Sequence, residues 1–436
     1  MKSENIAAIS TPPGRGGVAV IRLSGESPLA AAEKMFTPAG KTEVAAFEPY
    51  RMYPGHIGCG GFSDFGLCVY FKAPHSFTGE DVVEFHCHGG TEIARGVLRR
   101  ALECGCRLAE AGEFTRRAFL NGKLSLSAAE GLGEMIGARS EAQAKAGYLL
   151  YGEKLTKEAK RLQNILKECL ARVDADVDYP EEDLSAVSGE EIEAHLCEIE
   201  TALSALLKQY RAGKRIREGV NVALCGKPNA GKSSLLNALL GYDRAIVSSE
   251  AGTTRDAVEG TLELHGVLFL LTDTAGLREG AGEVEQEGIR RAHAAMERAD
   301  VIVWVREDEE LPTALPEGAE LIVVGSKSDV RRETDCDINV SSVTGEGIEE
   351  LKQLIFERGF GKQNDNVYLM EERHYRAVEE AKEAASAARS AILEGLPAEL
   401  YAEDLKRAYR ALGLLSGETA TEEIISEIFS KFCVGK

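Results

Sequence analysis

Gly226-Lys-Pro-Asn-Ala-Gly231-Lys232-Ser233 fits the pattern G-x-x-x-x-G-K-[ST]. Val220 to Cys225 reads as a strand entering this loop, and Ser234 to Leu240 as a helix leaving it, stopped by Gly241. Glycines let backbone N–H groups curl around phosphate oxygens at a helix N-terminus, where the peptide dipoles place positive charge. The loop assigns Asn229, Ala230, Gly231, Lys232, Ser233 and Ser234 to a nucleotide. Lys232 neutralises β/γ oxygens, and the Ser233 hydroxyl ligates Mg2+.

Downstream, the apolar strand Leu268 to Leu271 ends in Asp273-Thr274-Ala275-Gly276. An aspartate at a strand end can hold Mg2+ through water, and Gly276 can offer its N–H to a γ-phosphate. Alone, D-x-x-G is common; in this order after the phosphate loop it is specific. Between the two lies Gly252-Thr253-Thr254-Arg255-Asp256, a polar loop in which Thr254 supplies a second hydroxyl to Mg2+. Ser326-Lys327-Ser328-Asp329 follows the strand Leu321 to Val324. In isolation Asp329 reads as a helix N-cap. As the fourth element of an ordered set it reads as the acceptor of the N1–H and exocyclic amine of guanine, a donor pair that adenine lacks. Ser341, Ser342 and Val343 then offer a backbone N–H to the guanine carbonyl. The nucleotide is GTP.

Working outward, residues 217–358 alternate strands and helices, the pattern of a parallel α/β sheet. Residues from about 119 to 215 are rich in Ala, Leu, Glu and Lys. There Ser188-Gly-Glu-Glu191 has capping-box spacing, and Ile192, Leu196, Ile199, Leu203 and Leu206 form one apolar stripe. The acidic run Asp174 to Asp183, around Pro180, reads as a loop between helices. Helical patterns return over residues 371–393, 400–415 and 421–432. Residues 1–118 carry short strands such as Val18–Leu23 and Leu67–Phe71 and a helix near 91–103, an α+β module. Gly14-Arg-Gly-Gly17 is no phosphate loop, because a strand follows it. The expected fold is multidomain: an α+β N-terminal domain (1–118), a split all-α helical domain (119–215 and 361–436) and an inserted α/β P-loop G domain (216–360).

The chain has 436 residues, with 71 acidic and 51 basic side chains and a net charge of −20. That charge argues against a chain that coats nucleic acid electrostatically. No apolar run approaches the roughly 18 residues of a membrane span. Met1 to Ser10 lacks the features of a signal peptide. The ten cysteines are scattered, and His86-Cys87-His88 and Cys104-Gly-Cys106 lack the second half of a zinc site. These features place the chain in a reducing cytoplasm.

Four stretches carry a resemblance over essentially the whole chain: Thr11-Pro-Pro-Gly-Arg-Gly-Gly17, Phe77-Thr-Gly-Glu-Asp-Val-Val-Glu84 running on to His88-Gly-Gly90, the GTPase set with Gly252-Thr-Thr-Arg-Asp256, and Phe432-Cys-Val-Gly-Lys436. In these the sequence resembles the MnmE/TrmE family of tRNA-modification GTPases. The resemblance implies a folate-binding N-terminal domain that forms a homodimer. It also implies a GidA (MnmG)-type flavoprotein partner in a heterotetramer or larger assembly. The joint reaction adds a carboxymethylaminomethyl- or aminomethyl-class group to C5 of a wobble uridine in tRNA. Arg22, Glu84, Lys123 and Lys436 would contact formyl- or methylene-tetrahydrofolate, with Cys433 either a nucleophile or acid or an ordinary buried thiol. His86 and His88 read equally as core or hinge histidines.

Leu277 stands where many GTPases carry a water-orienting glutamine. By resemblance, K+ held by Asn229, Ser248, Glu250 and Thr253 supplies charge near the β/γ bridge, Ser249, Ala251 and Gly252 complete that loop, and Glu285 orients water. Two G domains meeting face to face would complete it. The competing function is a ribosome-assembly, RNA-binding GTPase switch; such proteins carry a basic RNA module after the G domain, and here an acidic, Ala-rich helical segment follows. The family's guanine motif is usually N-K-x-D, and this chain has Ser326 first. The shorter serine predicts a bridging water and weaker nucleotide binding, with specificity kept by Asp329.

Overall fold

The computed structural model describes residues 4–178, 185–227, 229–241, 260–273, 294–306, 315–361 and 367–435, without the side chains of 176–178 and 185–188. Its contacts divide the chain into two units, residues 1–133, 151–195 and 383–436 in one and 134–150 and 196–382 in the other.

The first unit holds strands β1 (Ile6–Ile9), β2 (Val18–Gly25), β3 (Phe36–Pro38), β4 (Met52–Gly58), β5 (Ser63–Phe71), β6 (Asp81–His88) and β7 (Arg107–Leu108). They form one sheet in the order β3-β4-β5-β6-β2-β1-β7. Helices α1 (Pro28–Glu33) and α2 (Thr91–Glu103) lie among them in sequence, and α3 (Glu113–Leu120) follows. The period-2 pattern of β2 explains its seat. Ala19, Ile21 and Leu23 join Phe85, Val97 and Ala101 in the main core, while Arg22 and Ser24 face the other way. Each fully buried side chain of this size stabilises the fold by about 2 kcal/mol. On the second face Ile6, Ala8, Ala109 and Phe114 pack with Phe77.

Helices α4 (Leu126–Gly137), α5 (Glu141–Tyr151), α6 (Lys154–Asp178), α7 (Ser185–Leu207) and α8 (Tyr210–Glu218) follow. Two expectations change here. Helix α6 continues through Asp174–Asp178, so that part of the acidic run is helix. Pro180 disfavours helical geometry at the residue directly before it, and Asp174–Asp178 lie upstream of that residue. Helix α7 starts at Ser185, three residues before the serine of the capping-box pattern.

The second unit holds β8 (Val220–Cys225), α9 (Lys232–Leu240), β9 (Gly260–Leu264), β10 (Val267–Asp273), β11 (Val301–Arg306), β12 (Glu320–Gly325), β13 (Ile338–Asn339) and α10 (Ile348–Gly359). The sheet order is β13-β12-β11-β8-β10-β9, parallel except for β9. Strand β11, Val-Ile-Val-Trp-Val-Arg, is apolar on both faces because both are covered: Val303 and Val305 meet Ile355 and Leu351, and Ile302 meets Ala223 and Cys225. Because β8 lies between β10 and β11, their C-terminal ends stand side by side at the phosphate loop.

The chain then forms α11 (Glu372–Leu393), α12 (Ala398–Ser416) and α13 (Glu422–Ser430). Helix α12 packs along α6 in the first unit, where Gln163 Nε2 donates to the Tyr409 carbonyl at 3.2 Å. Helix α13 buries Ile425, Ile428 and Phe429 against Leu126 and Ala129. Among the described residues no helix is long and apolar enough to cross a membrane.

Candidate functional site

The phosphate loop leaves β8 at Gly226, whose φ is +135°. A Cβ there would stand 2.3 Å from the Val305 carbonyl oxygen, so this glycine is required by space as well as by backbone angle. Gly231 caps α9 at φ +96°, and the helix starts at Lys232 rather than Ser234 because Lys232 and Ser233 already form its first turn. Lys232 is 4% exposed. Its Nζ donates to the carbonyls of Gly226, at 2.9 Å, and Lys227, which holds the amine inside the curl of the loop. Ser233 Oγ donates to Asp273 Oδ2 at 2.6 Å, and Asp273 is buried. Two motifs forty residues apart thus meet at one point.

Ser326 closes the loop from the far side, its Oγ donating to the Ala230 carbonyl at 2.7 Å. The brace to the loop is direct, with no water between. Lys327, at φ +60°, reaches the Asn229 carbonyl with Nζ at 3.1 Å. Ser341 Oγ donates to Asp329 Oδ1 at 2.6 Å, which fixes the carboxylate. Ser328 is held from both sides, its N–H on the Val340 carbonyl and its Oγ on Glu346 Oε2. Ser342 is half-buried, and Val343 is exposed at the lip. The expected residues Ser248, Ser249, Glu250, Ala251, Gly252, Thr253, Thr254, Thr274, Ala275, Gly276 and Glu285 lie outside the described residues, as does Lys436.

In the first unit Arg22 and Glu84 face each other across β2 and β6, with Nε donating to Oε1 at 2.7 Å. The Arg22 guanidinium lies 5.5 Å from the Phe77 ring centre and 5.7 Å from that of Phe114. His86 Nε2 is 3.2 Å from Glu84 Oε2, so this histidine is the second partner of that carboxylate. Burial would raise the Glu84 pKa; His86 and Arg22 outweigh it and hold the carboxyl below its ordinary range. Lys123 is exposed, its Nζ on the Pro74 carbonyl at 3.0 Å, beside the loop that carries Phe77. Cys433 is exposed, not a buried thiol. The segment that carries it runs beside Ala111, bridged by Val434, and Ser10 Oγ donates to the Gly435 carbonyl at 3.1 Å. A cavity of about 550 Å³ opens where Ile9, Thr11, Arg15, Arg95 and Val434 meet; Arg22, Glu84 and Lys123 do not line it.

Sequence reasoning assigned nothing to a charged network beneath this site. Ser24 Oγ and Arg117 both donate to Glu80 Oε2, at 2.8 and 2.9 Å, and Arg117 and Arg107 both bind Glu113. Burial alone would raise the Glu113 pKa, but Arg107, the Glu110 N–H and Arg117 bring it to about 2. The folded pKa lies below the ordinary value of 4.5, so the contribution is complete above about pH 4.5 and disappears as pH falls toward about 2. Glu113→Gln is expected to cost about 2 kcal/mol at neutral pH. Urea denaturation of both proteins checks this: the gap between them should narrow as pH is lowered through about 4, and a gap independent of pH would refute it.

Comparison with known proteins gives matches over nearly the whole chain. A family profile described as "GTP-binding protein TrmE N-terminus" matches residues 5–123, and one described as "MnmE helical domain" matches residues 126–433. The tRNA modification GTPase MnmE of Dechloromonas aromatica (strain RCB) is 38% identical over 453 residues, covering 100% of each chain. That of Natranaerobius thermophilus is 36% identical over 461 residues, again 100% of each. That of Azoarcus sp. (strain BH72) is 39% identical over 454 residues, 99% of this chain and 98% of the other. With one profile covering residues 126–433, another residues 5–123, and relatives 36–39% identical along the full length, the chain belongs to the MnmE/TrmE family of tRNA-modification GTPases.

Proposed function

We propose that this chain is a potassium-activated GTP hydrolase of the cytoplasm. With a GidA (MnmG)-type flavoprotein it would place a carboxymethylaminomethyl- or aminomethyl-class group on C5 of a wobble uridine of tRNA, using a formyl- or methylene-tetrahydrofolate carbon. The observation that carries the reading is the convergence of Lys232, the Ser233–Asp273 pair and the Ser326–Asp329 segment around one loop.

A buried carboxylate bonded to a hydroxyl is a set of hard oxygen donors that suits Mg2+. Ser233 and Thr254 would hold the ion, with Asp273 behind a water, and the ion supplies positive charge on the β/γ oxygens. Asn229, Ser248, Glu250 and Thr253 would hold K+, which supplies the charge that an arginine finger supplies elsewhere. Asn229 is locked at φ +65° with its carbonyl on Lys327, so its place in the loop is fixed. Lys232 binds phosphate oxygens, and Glu285 orients the attacking water.

Arg22 and Glu84 of the N-terminal domain (1–118) and Lys123, just beyond it, would bind the folate, joined by Lys436 from the second half of the helical domain (361–436). The homodimer would form through the same N-terminal domain, and the acidic surface leaves most tRNA affinity to the flavoprotein. Phosphate release is expected to run at least about tenfold faster in K+ than in Na+. Equal rates would remove the cation from the scheme. Nucleoside analysis of tRNA from a deletion strain, complemented with wild type or Cys433→Ser, checks the modification; unchanged wobble uridines on deletion would refute it.

A further inference from the structure

Ser326 stands at the end of β12, between the phosphate loop and Asp329. Its hydroxyl carries one proton. That proton is spent on the Ala230 carbonyl at 2.7 Å, and a Cβ on Gly231 would lie 3.8 Å from Ser326 Oγ, so the hydroxyl is seated against the loop. The neighbouring Lys327 amine is turned to the Asn229 carbonyl, also on the loop. Both side chains at the end of β12 therefore donate toward the phosphate loop.

A guanine placed with its N1–H and amine on Asp329 must send N9, through the ribose, toward the phosphates at Lys232. With its carbonyl on the backbone N–H groups of residues 341–343 as well, that orientation turns the N7 corner of the base to the end of β12. Guanine N7 is an acceptor, and what remains on the Ser326 oxygen is lone pairs, which cannot bond another acceptor.

We propose that this chain selects guanine through its Watson–Crick edge alone and is blind to N7, because the Ser326 hydroxyl is committed to the phosphate loop. A water at N7 adds little discrimination, because replacing the nitrogen by C–H releases it at small cost. An amide at position 326 has two protons, one for the loop and one for N7, so Ser326→Asn should create the missing contact. The proposal rests on the guanine reading of Asp329 and narrows it.

The test is competition of GTP, 7-deaza-GTP, inosine triphosphate and ATP against a fluorescent GDP analogue on the full chain. Three proteins are compared: wild type, Ser326→Asn and Ser326→Ala. Wild type should bind 7-deaza-GTP within about twofold of GTP, and Ser326→Asn should prefer GTP by about fivefold or more. Ser326→Ala should bind both more weakly, through loss of the loop brace, with their ratio still near one. A tenfold preference of wild type for GTP over 7-deaza-GTP overturns the proposal, even if neither variant folds. The guanine reading fails separately, and visibly, if wild type binds ATP and inosine triphosphate as well as GTP.

Discussion

Asp329→Asn should exchange GTP for xanthosine triphosphate as the preferred nucleotide, with kcat/KM for GTP falling by about a hundredfold or more. Guanine presents N1–H and an amine to position 329, two donors that need an anionic acceptor. The variant would offer an amide N–H2 there. Its orientation is set in advance, because Ser341 Oγ already donates to Oδ1 at 2.6 Å and so claims the amide oxygen. The amide nitrogen is left to face the base. Guanine then meets donor against donor, whereas xanthine brings a carbonyl at C2 to receive that proton. The loss for GTP combines a missing charge-assisted pair with donors left buried and unbonded, and such sites discriminate by orders of magnitude. Steady-state hydrolysis of both nucleotides measures it. A preference for GTP that survives the substitution would return Asp329 to the helix-capping role it could have held in isolation.

What was legible in the sequence follows the range of the interactions. The phosphate loop is a contiguous stretch bounded by a strand and a helix, so Lys232, Ser233 and Gly231 could be placed from spacing alone. Asp273 needed only its order after that loop, and β10 pairs with β8 so that Asp273 sits opposite Leu224, two residues before the loop begins. The Glu80–Arg117–Glu113–Arg107 network is different. Its members lie up to 37 residues apart and are ordinary charges until the sheet and α3 bring them together. Glu80 sits inside a quoted motif, and Gly112 in Ala-Gly-Glu preceding α3 was the local hint of a special turn. His86 reads as core or hinge from sequence alone; two residues along β6 from Glu84 it shares that residue's face, and the pair meets at 3.2 Å. The hydroxyl of Ser326 shows the remaining limit. Its shortness was readable, but which acceptor takes its one proton is a matter of where β12 ends relative to Ala230.

Gly435→Val should abolish wobble-uridine modification and weaken folate binding by at least about tenfold, while GTP hydrolysis stays within about twofold of wild type. Gly435 has φ +99°, a conformation that costs an ordinary L residue about 1–2 kcal/mol. A Cβ would also stand 2.3 Å from the Ile9 carbonyl oxygen, and that oxygen belongs to β1, so it cannot withdraw without opening the sheet. The cheaper response is for the terminal segment to leave. Beyond Phe432, which packs on the α13 cluster, the described attachments of the segment are the Val434–Ala111 bridge, the Gly112 N–H on the Cys433 carbonyl at 3.4 Å and the Ser10 hydroxyl on Gly435. Cys433 would then lose its fixed place, and Lys436, which follows directly in sequence, would be carried off with it. The phosphate loop belongs to the other compact unit and should not register the change. Gly395→Val supplies the control, since Gly395 also has positive φ, at +69°, but nothing within 4 Å of its Cβ position. It shares the backbone penalty and lacks the collision. Calorimetric titration with formyl-tetrahydrofolate, beside phosphate release, separates the outcomes. Unchanged folate affinity in Gly435→Val would mean that the docked segment is a structural latch and not a part of the one-carbon site.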